Sequence, residues 1–442
     1  MPNLFASAAS SLLGDQAEDS RAADVRLLLQ ALDYSNESGP ETVHRAALLK
    51  AASRFLRVFQ LAAPDAPGLI AFGAEFDPAI ADRLHAGSSL VGVSGVGASL
   101  QDAFQGCVGE GIEYLSQLQT ESDLLLPSNP CDPAARLGSQ ARDFVAAFST
   151  HSLRPETELS WHGATRLSDG CKVLLPADLC LRRPPDQREI TPPFPLSTGS
   201  AAGTSWDAAA LHGMLELIER DAASLWWRGA NLAGSIPPEH EARVMAEALL
   251  RRLRQNACMR RSWLLDITTD IGVPCVAAVS CLMDGFGFTL GLAARPTLKA
   301  AARSAILEMC QMELALAVVE AKCRESGEAA LNERDLVHRR RATMINADNC
   351  PLLQPGPERA THLDFNTVDP GAALRLIVER LGQFGIESFG LDLTRPYLTV
   401  PVARVIAPGL QIEPSAIIAP RLADMIARTG GAMKYTGGVA LI

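Results

Sequence analysis

Two stretches of the chain, "GASLQDAFQGCVGEGIEY" (residues 97–114) and "GTSWDAAALHGMLELIER" (residues 203–220), align without a gap. They coincide at Gly97/Gly203, Ser99/Ser205, Ala103/Ala209, Glu110/Glu216, Ile112/Ile218 and Glu113/Glu219. In both, a Gly/Ser loop feeds a helix-patterned run whose third turn carries Glu-x-x-Glu. Glutamates at i and i+3 share one helix face, so each copy commits the fold to a loop, a helix and an acidic stripe. The ordinary fate of a single Glu-x-x-Glu is a wet helix face. Glu216 and Glu219 depart from it, because they sit inside "MLELI" among large apolar residues. Carboxylates there need cations or hydrogen bonds to be tolerated. A third helical run, "AARSAILEMCQMELA", offers a related pair, Glu308 and Gln311, again at i and i+3.

Two carboxylate pairs with few lysines to match them call for metal ions. All-oxygen ligands suit Mg2+, which bridges one or two carboxylates to substrate phosphates. Backbone N–H groups of the Gly-rich loops can meet those phosphates. Arg220, directly after the second pair, is placed for a phosphoryl oxygen or for holding a glutamate in position. The residues alone thus lead to a nucleotide–Mg2+ site on acidic helices. It is not a Walker site, since no GxxxxGK[ST] occurs, and "GVSGVGASL" has the wrong glycine spacing for a dinucleotide fingerprint. Neither HExxH nor GxSxG is present. His212, near the second acidic helix, reads as structural, and "SLWW" (residues 224–227) as core packing.

Composition narrows the class further. With 48% apolar and 20% charged residues, the chain is globular and well cored, and 442 residues fit one large or two fused domains. A net charge of −10 disfavours nonspecific binding to nucleic acid. The longest apolar runs, such as "LALAVVEA" (residues 314–321), fall far short of a membrane span. The opening "MPNLFASAASSLLGDQAED" lacks the basic n-region of a secretory signal. Ten cysteines without a CxxC pair exclude a zinc ribbon or thioredoxin-type motif and point to a reducing cytoplasm. The arginine clusters "RRLRQNACMRR" (residues 251–261) and "RDLVHRRRA" (residues 334–342) read as solvated helix faces. A docking patch for an acidic partner is the alternative.

Periodicity predicts helices in "ADVRLLLQAL" (residues 23–32) and "HRAALLKAASRFLRVFQ" (residues 44–60), a small N-terminal helical module of residues 1–68 that ends at "APDAPG". From residue 69 onward the texture is α/β. "LIAFGAEF" and "SLVGVSGVG" read as strand and loop before the first acidic helix. "VPCVAAVSCL" and "FGFTLGLAA" read as strands before a long helix from residue 298 to about residue 324. Residues 329–357 read as a loop-rich insertion. "GIESFGLDLTRPYLTVPVARVIAPGL" reads as strand, turn, strand.

At these residues the chain resembles the YcaO superfamily. "STGSAAGTSWDAAALHGMLELIERDAASLWW" (residues 197–227) resembles the family's Gly-rich loop and ELIERDA helix, and its trailing "LWW" is similar to the azoline-forming cyclodehydratases. "GVGASLQDAFQGCVGEGIEY" looks like the first acidic helix, and "AARSAILEMCQMEL" like the helix carrying Glu-x-x-Gln. "DLTRPYLTVPVARVIAPGL" is similar to the C-terminal strand pair. The chain departs from the family pattern where Gly95-Val96-Gly97 replaces Gly-Lys-Gly, where Tyr114 and Ser304 stand for arginines, where Gly106 stands for a serine and Ala208 for a glutamate, and where Thr204 stands for the loop asparagine. The last residues, "MKYTGGVALI", lack the PxPxP of many cyclodehydratases.

The resemblance implies a YcaO-type α/β fold of mixed sheets packed with helices over residues 69–442. It implies ATP and Mg2+ as cofactors, with Glu110, Glu113, Glu216 and Glu219 as metal ligands. Ser99, Thr204, Glu308 and Gln311 are then cofactor-binding, and Glu216, Glu219 and Arg220 catalytic. The implied activity is ATP-dependent cyclodehydration of Cys, Ser or Thr in a ribosomally made precursor peptide, as in bacteriocin biosynthesis. Thioamide formation and a non-catalytic scaffold that binds a partner protein are the alternatives. The implied partners are the precursor peptide and a separate leader-peptide-binding protein, ThiF-like or TfuA-like. A flavin-dependent dehydrogenase in the same complex and a homodimer are options left open.

Overall fold

The computed structural model describes residues 40–128, 159–257, 259–359, 362–363, 369–415 and 417–442. Apart from single short turns, the elements begin with α1 (Pro40–Ala52), β1 (Arg57–Leu61), β2 (Ile70–Phe76), β3 (Val91–Gly97), α2 (Leu100–Gln117) and β4 (Leu126–Ser128). Next come β5 (Leu159–Arg166), β6 (Lys172–Pro176), β7 (Ser200–Ala202), α3 (Trp206–Trp227), α4 (Glu241–Arg254) and β8 (Arg260–Asp266). The chain continues through β9 (Cys275–Leu282), β10 (Thr289–Ala294), α5 (Leu298–Ser326) and α6 (Glu333–Met344). It ends with α7 (Pro370–Gln383), β11 (Phe389–Asp392), β12 (Val402–Ile406) and α8 (Pro420–Thr429).

These elements fall into two units. The first comprises the described residues up to Leu61, with Ala71–Met214 and Asp369–Gly409. It contains a three-stranded sheet, β1-β2-β3, and a six-stranded one in the order β4-β5-β11-β12-β7, with β6 on β5. Helix α2 buries Ala103, Phe104, Cys107, Val108, Ile112 and Leu115, a helical stripe that packs on β3. The approach is close enough that a Cβ on Gly95 would collide with the backbone of Gly106 and Cys107. Beyond Gln117 the open carbonyls at the helix end are met by Arg395, which donates to Ser116 and Leu118 and pairs with Asp123 at 2.6 Å. Arg404, fully buried in β12, donates to the Leu179 and Leu196 carbonyls and the Ser200 hydroxyl.

The second unit comprises Ala62–Ile70 and the described parts of Leu215–Val368 and Leu410–Ile442. Its sheet is antiparallel, in the order β10-β9-β8. Nearly every residue of β9 and β10 is buried, which is why both read as continuous apolar runs. Helix α5 lies across β9 and β10. Trp226 and Trp227 are core, as expected: Trp226 donates to the Leu352 carbonyl, and Trp227 donates to Val439 and stacks on Phe288. Glu313, with 1% of its side chain exposed, anchors a buried ion network with Arg254 and Arg260.

Two expectations need correction. The helix expected to run to residue 60 stops at Ala52, and Arg57–Leu61 is a strand paired with β2. Its Val58 and Phe59 suit a pleated surface better than a fourth helical turn. Within the expected loop-rich insertion, Glu333–Met344 is helical, started by a reciprocal capping box between Asn332 and Asp335. The expected helix at residues 23–32 lies outside the described residues. The eight described cysteines are all unbonded. Among the described residues no helix is long and apolar enough to cross a membrane.

Candidate functional site

In the first unit, the hydroxyl oxygen of Ser99 caps α2 by accepting the Asp102 N–H at 3.1 Å. Three turns on, Glu110 accepts the Ser94 N–H of β3 at 3.0 Å. Glu113, half-buried, accepts the Ala202 N–H of β7 at 2.8 Å. Both acids of the first copy are therefore oriented by strand backbone, Glu110 from an exposed position and Glu113 from a half-buried one. Thr204 is exposed in the loop between β7 and α3, beside Ser205, whose hydroxyl caps α3 by accepting the Ala208 N–H at 3.2 Å.

In the second unit, Glu216, Glu219, Arg220 and Glu308 form one charged cluster. The Arg220 guanidinium lies 3.4 Å from Glu216 and 3.8 Å from Glu219. Glu219 is only 6% exposed and accepts the Ala294 N–H of β10 at 3.3 Å. Glu308, from α5, accepts the Leu292 N–H at 3.0 Å. Gln311 follows one turn later, half-buried. Burial pushes the Glu308 carboxyl up to about 8, with the charge of Glu219 adding to it. Burial likewise raises Glu219, opposed by Arg220. Burial works against the charge of Arg220, but Glu219, Glu216 and Glu308 together hold it more firmly protonated.

The structure contains a third copy of the device that the sequence comparison did not find. Thr297 caps α5 by accepting the Ala300 N–H at 3.2 Å, as Ser99 and Ser205 cap theirs. Counted from these three hydroxyls, Glu110, Glu216 and Glu308 all stand eleven residues on, and Glu113, Glu219 and Gln311 fourteen. Glu110 and Glu308 each accept from the strand residue five before their cap. Glu113 and Glu219 each accept from the residue three before the cap of the next copy. In the sequence Glu308 and Gln311 read as a pair, without the frame that joins them to the other two copies. The missed signal was Thr297 at the hydroxyl position, masked because Arg295 stands where the other copies have Gly97 and Gly203. Arg295 is also a newly located participant, since its charge acts on Glu219 and Glu308.

The residues fit a magnesium nucleotide. The Nε of Arg220 is buried without an acceptor among the described residues, a spare donor suited to a phosphoryl oxygen. The acids offer only oxygen donors, and Glu219 and Glu308 repel each other when both are ionised, which a divalent cation relieves. Among the described residues no three His, Cys, Asp or Glu side chains already converge tightly enough to hold a metal ion by themselves. Mg2+ bound through one or two carboxylates plus substrate phosphates needs no such closed cage.

A strand–loop–helix device with a capping hydroxyl and an acidic third turn is the repeated unit of this site. The profile of one family, described as YcaO cyclodehydratase, ATP- and Mg2+-binding, matches residues 94–411, and the chain belongs to that family. ATP and Mg2+ are accordingly its cofactors. A heterocyclase in complex with substrate and cofactor is similar in structure, with a TM-score of 0.66 and 21% identity, covering 89% of this chain and 55% of that one. The chain thus spans about half the length of that heterocyclase. YcaO from Methanopyrus kandleri, bound with AMPPCP and Mg2+, matches with a TM-score of 0.58 and 19% identity over 85% of this chain and 92% of that one. An uncharacterized protein of Methanothermobacter thermautotrophicus is 25% identical over 344 residues, 72% of this chain and 81% of that protein.

Proposed function

We propose that this chain activates backbone amides of a ribosomally made precursor peptide, using ATP to close Cys, Ser or Thr side chains into azoline rings. The observation that carries the reading is the part-buried cluster of Glu216, Glu219 and Glu308 around Arg220, with its spare Nε donor. Such a cluster is unfavourable unless it holds a cation and an anion together. When bound, ATP with Mg2+ supplies the phosphoryl group that turns the oxygen of the attacked amide into a leaving group. Glu110 and Glu113 from the first unit, and Glu216 and Glu219 from the second, are the residues that would bind Mg2+ ions. Ser99, whose oxygen already accepts the Asp102 N–H, keeps its O–H to donate to a phosphate oxygen, and Thr204 does the same from its exposed loop. Glu308 and Gln311 would contact the nucleotide and order the site, and Arg220 would neutralise charge on its phosphoryl group. The contribution is positioning and charge neutralisation, so no covalent nucleophile is required.

A separate protein that binds the leader segment of the precursor completes the system. The unbonded cysteines favour a reducing cytoplasm as its place of work. The test combines the purified chain, precursor peptide and leader-binding protein with Mg-ATP, and follows peptide mass and released phosphate. Loss of one water per ring with phosphate release is the expected result. Exchange of oxygen for sulfur in the presence of sulfide would replace this reading with thioamide formation, and absence of ATP binding would replace it with a scaffold role. Glu216→Gln should abolish phosphate release and leave the circular dichroism spectrum unchanged.

A further inference from the structure

Strand β8 lies at the edge of its sheet, and its first five residues are half-exposed where β9 and β10 are buried. Antiparallel pairing turns alternate residues outward, and the outward set is identified by Asp266. Its N–H donates to the Gly234 carbonyl at 3.0 Å, and the Gly234 N–H donates back at 2.7 Å. Gly234 thus already occupies the position of a neighbouring strand, for one residue only. Counting back by two, Leu264 and Ser262 also face outward. Among the described residues their outward main-chain N–H and C=O groups meet no hydrogen-bond partner. A groove of about 340 Å³ adjoins this stretch, lined by Ile236, Ala246 and Leu250 as well as by Ser262, Trp263 and Leu264.

We infer that this groove takes an extended, uncharged segment of the precursor peptide, added as a strand along Ser262 to Leu264. Unpaired main-chain donors and acceptors in a row specify a polypeptide strand as the occupant. The lining specifies the side chains. Ile236, Ala246 and Leu250 provide an apolar wall. The two groove arginines are each matched by a carboxylate, Arg243 by Glu247 at 3.2 Å and Arg261 by Asp348 at 2.7 Å. The groove therefore presents little net charge, which favours neutral segments over acidic or basic ones. The Nε of Arg261 lacks an acceptor among the described residues and adds a donor for an incoming carbonyl. Naming the precursor as the occupant rests on the amide-activating reading above; the strand-addition site itself does not.

The probe is a displayed library of random peptides panned on the full chain, with the best sequence resynthesised and labelled for fluorescence anisotropy. The expected peptide carries an apolar residue between neutral ones. Methylating alternate amides of that peptide should weaken binding about tenfold or more, as expected for losing main-chain hydrogen bonds, while the intervening amides tolerate methylation. Leu264→Pro, which removes an outward N–H that no ladder partner uses, should weaken binding similarly. Calorimetry with Mg-ATP on the same preparations separates the two readings. A chain that binds Mg-ATP but enriches no peptide overturns the groove assignment and spares the catalytic one. So does a peptide with no alternation in its methylation profile. A peptide that binds with the expected alternation to a chain unable to bind Mg-ATP upholds the groove and overturns the catalytic reading.

Discussion

Replacing Glu308 with glutamine should make the metal-free protein more stable, and increasingly so as pH rises. Glutamine keeps an oxygen for the Leu292 N–H but removes a charge that burial and Glu219 both disfavour. In the folded chain the Glu308 carboxyl is pushed up to about 8, against an ordinary value of 4.5. The proton is therefore bound more tightly in the native state. Its stabilising effect is fully present below 4.5 and is lost as pH rises toward 8. At about 1.4 kcal/mol per pH unit, the ceiling on that loss is about 5 kcal/mol, reduced by the solvent that reaches a half-buried side chain. The Glu308→Gln chain escapes it. Urea denaturation without Mg2+ at pH 4.5, 7 and 9 measures the difference. Near-equal stability at the lowest pH is expected, with a Glu308→Gln advantage of about 2–4 kcal/mol at the highest. Added Mg-ATP should narrow the gap by stabilising wild type selectively, because Glu308 is placed to contact the nucleotide. A variant that is no more stable than wild type at pH 9 would refute the account of these acids as charges held for a cation.

Two further substitutions probe the frame that supports the site. Glu313→Gln leaves Arg254 and Arg260 buried without their shared counter-ion, and should cost about 3–5 kcal/mol in urea denaturation. Gly291→Ala places a methyl against the backbone of Ala305 and Met309, where β10 meets α5. It should destabilise the chain by about 1–3 kcal/mol and weaken Mg-ATP binding in calorimetry, by moving the Leu292 N–H from Glu308.

Much of the candidate site was legible because its signals are local. A capping hydroxyl, a helix and an acid pair occupy contiguous residues, so the first two copies could be aligned directly. Strands β9 and β10 and helix α5 were legible because long apolar or periodic runs dominate their texture. What stayed hidden depends on distant partners. Strand β1 follows a helix-like run and is a strand because β2 pairs with it. Helix α6 sits inside a polar, irregular stretch whose texture is that of a loop, although its arginine run reads as a helix face, and a capping box starts it. The backbone N–H groups that orient Glu113 and Glu219 come from strands 89 and 75 residues away, a relation no spacing pattern reveals.

The third copy explains why a glutamine replaces the second acid there. Glu113 and Glu219 are each oriented by one strand N–H. A third acid at position 311 would stand one turn from Glu308, which is already pushed up to about 8 by burial and by Glu219. Arg220 and Arg295 both act on Glu219 and Glu308, so the existing acids are nearly balanced by cations before metal arrives. One more carboxylate would be protonated at neutral pH and would offer a metal little. Glutamine keeps the hydrogen-bonding reach without adding to the repulsion. The frame thus conserves the position of a polar group at each eleventh and fourteenth residue after the cap. Local charge balance decides which of those groups is ionised.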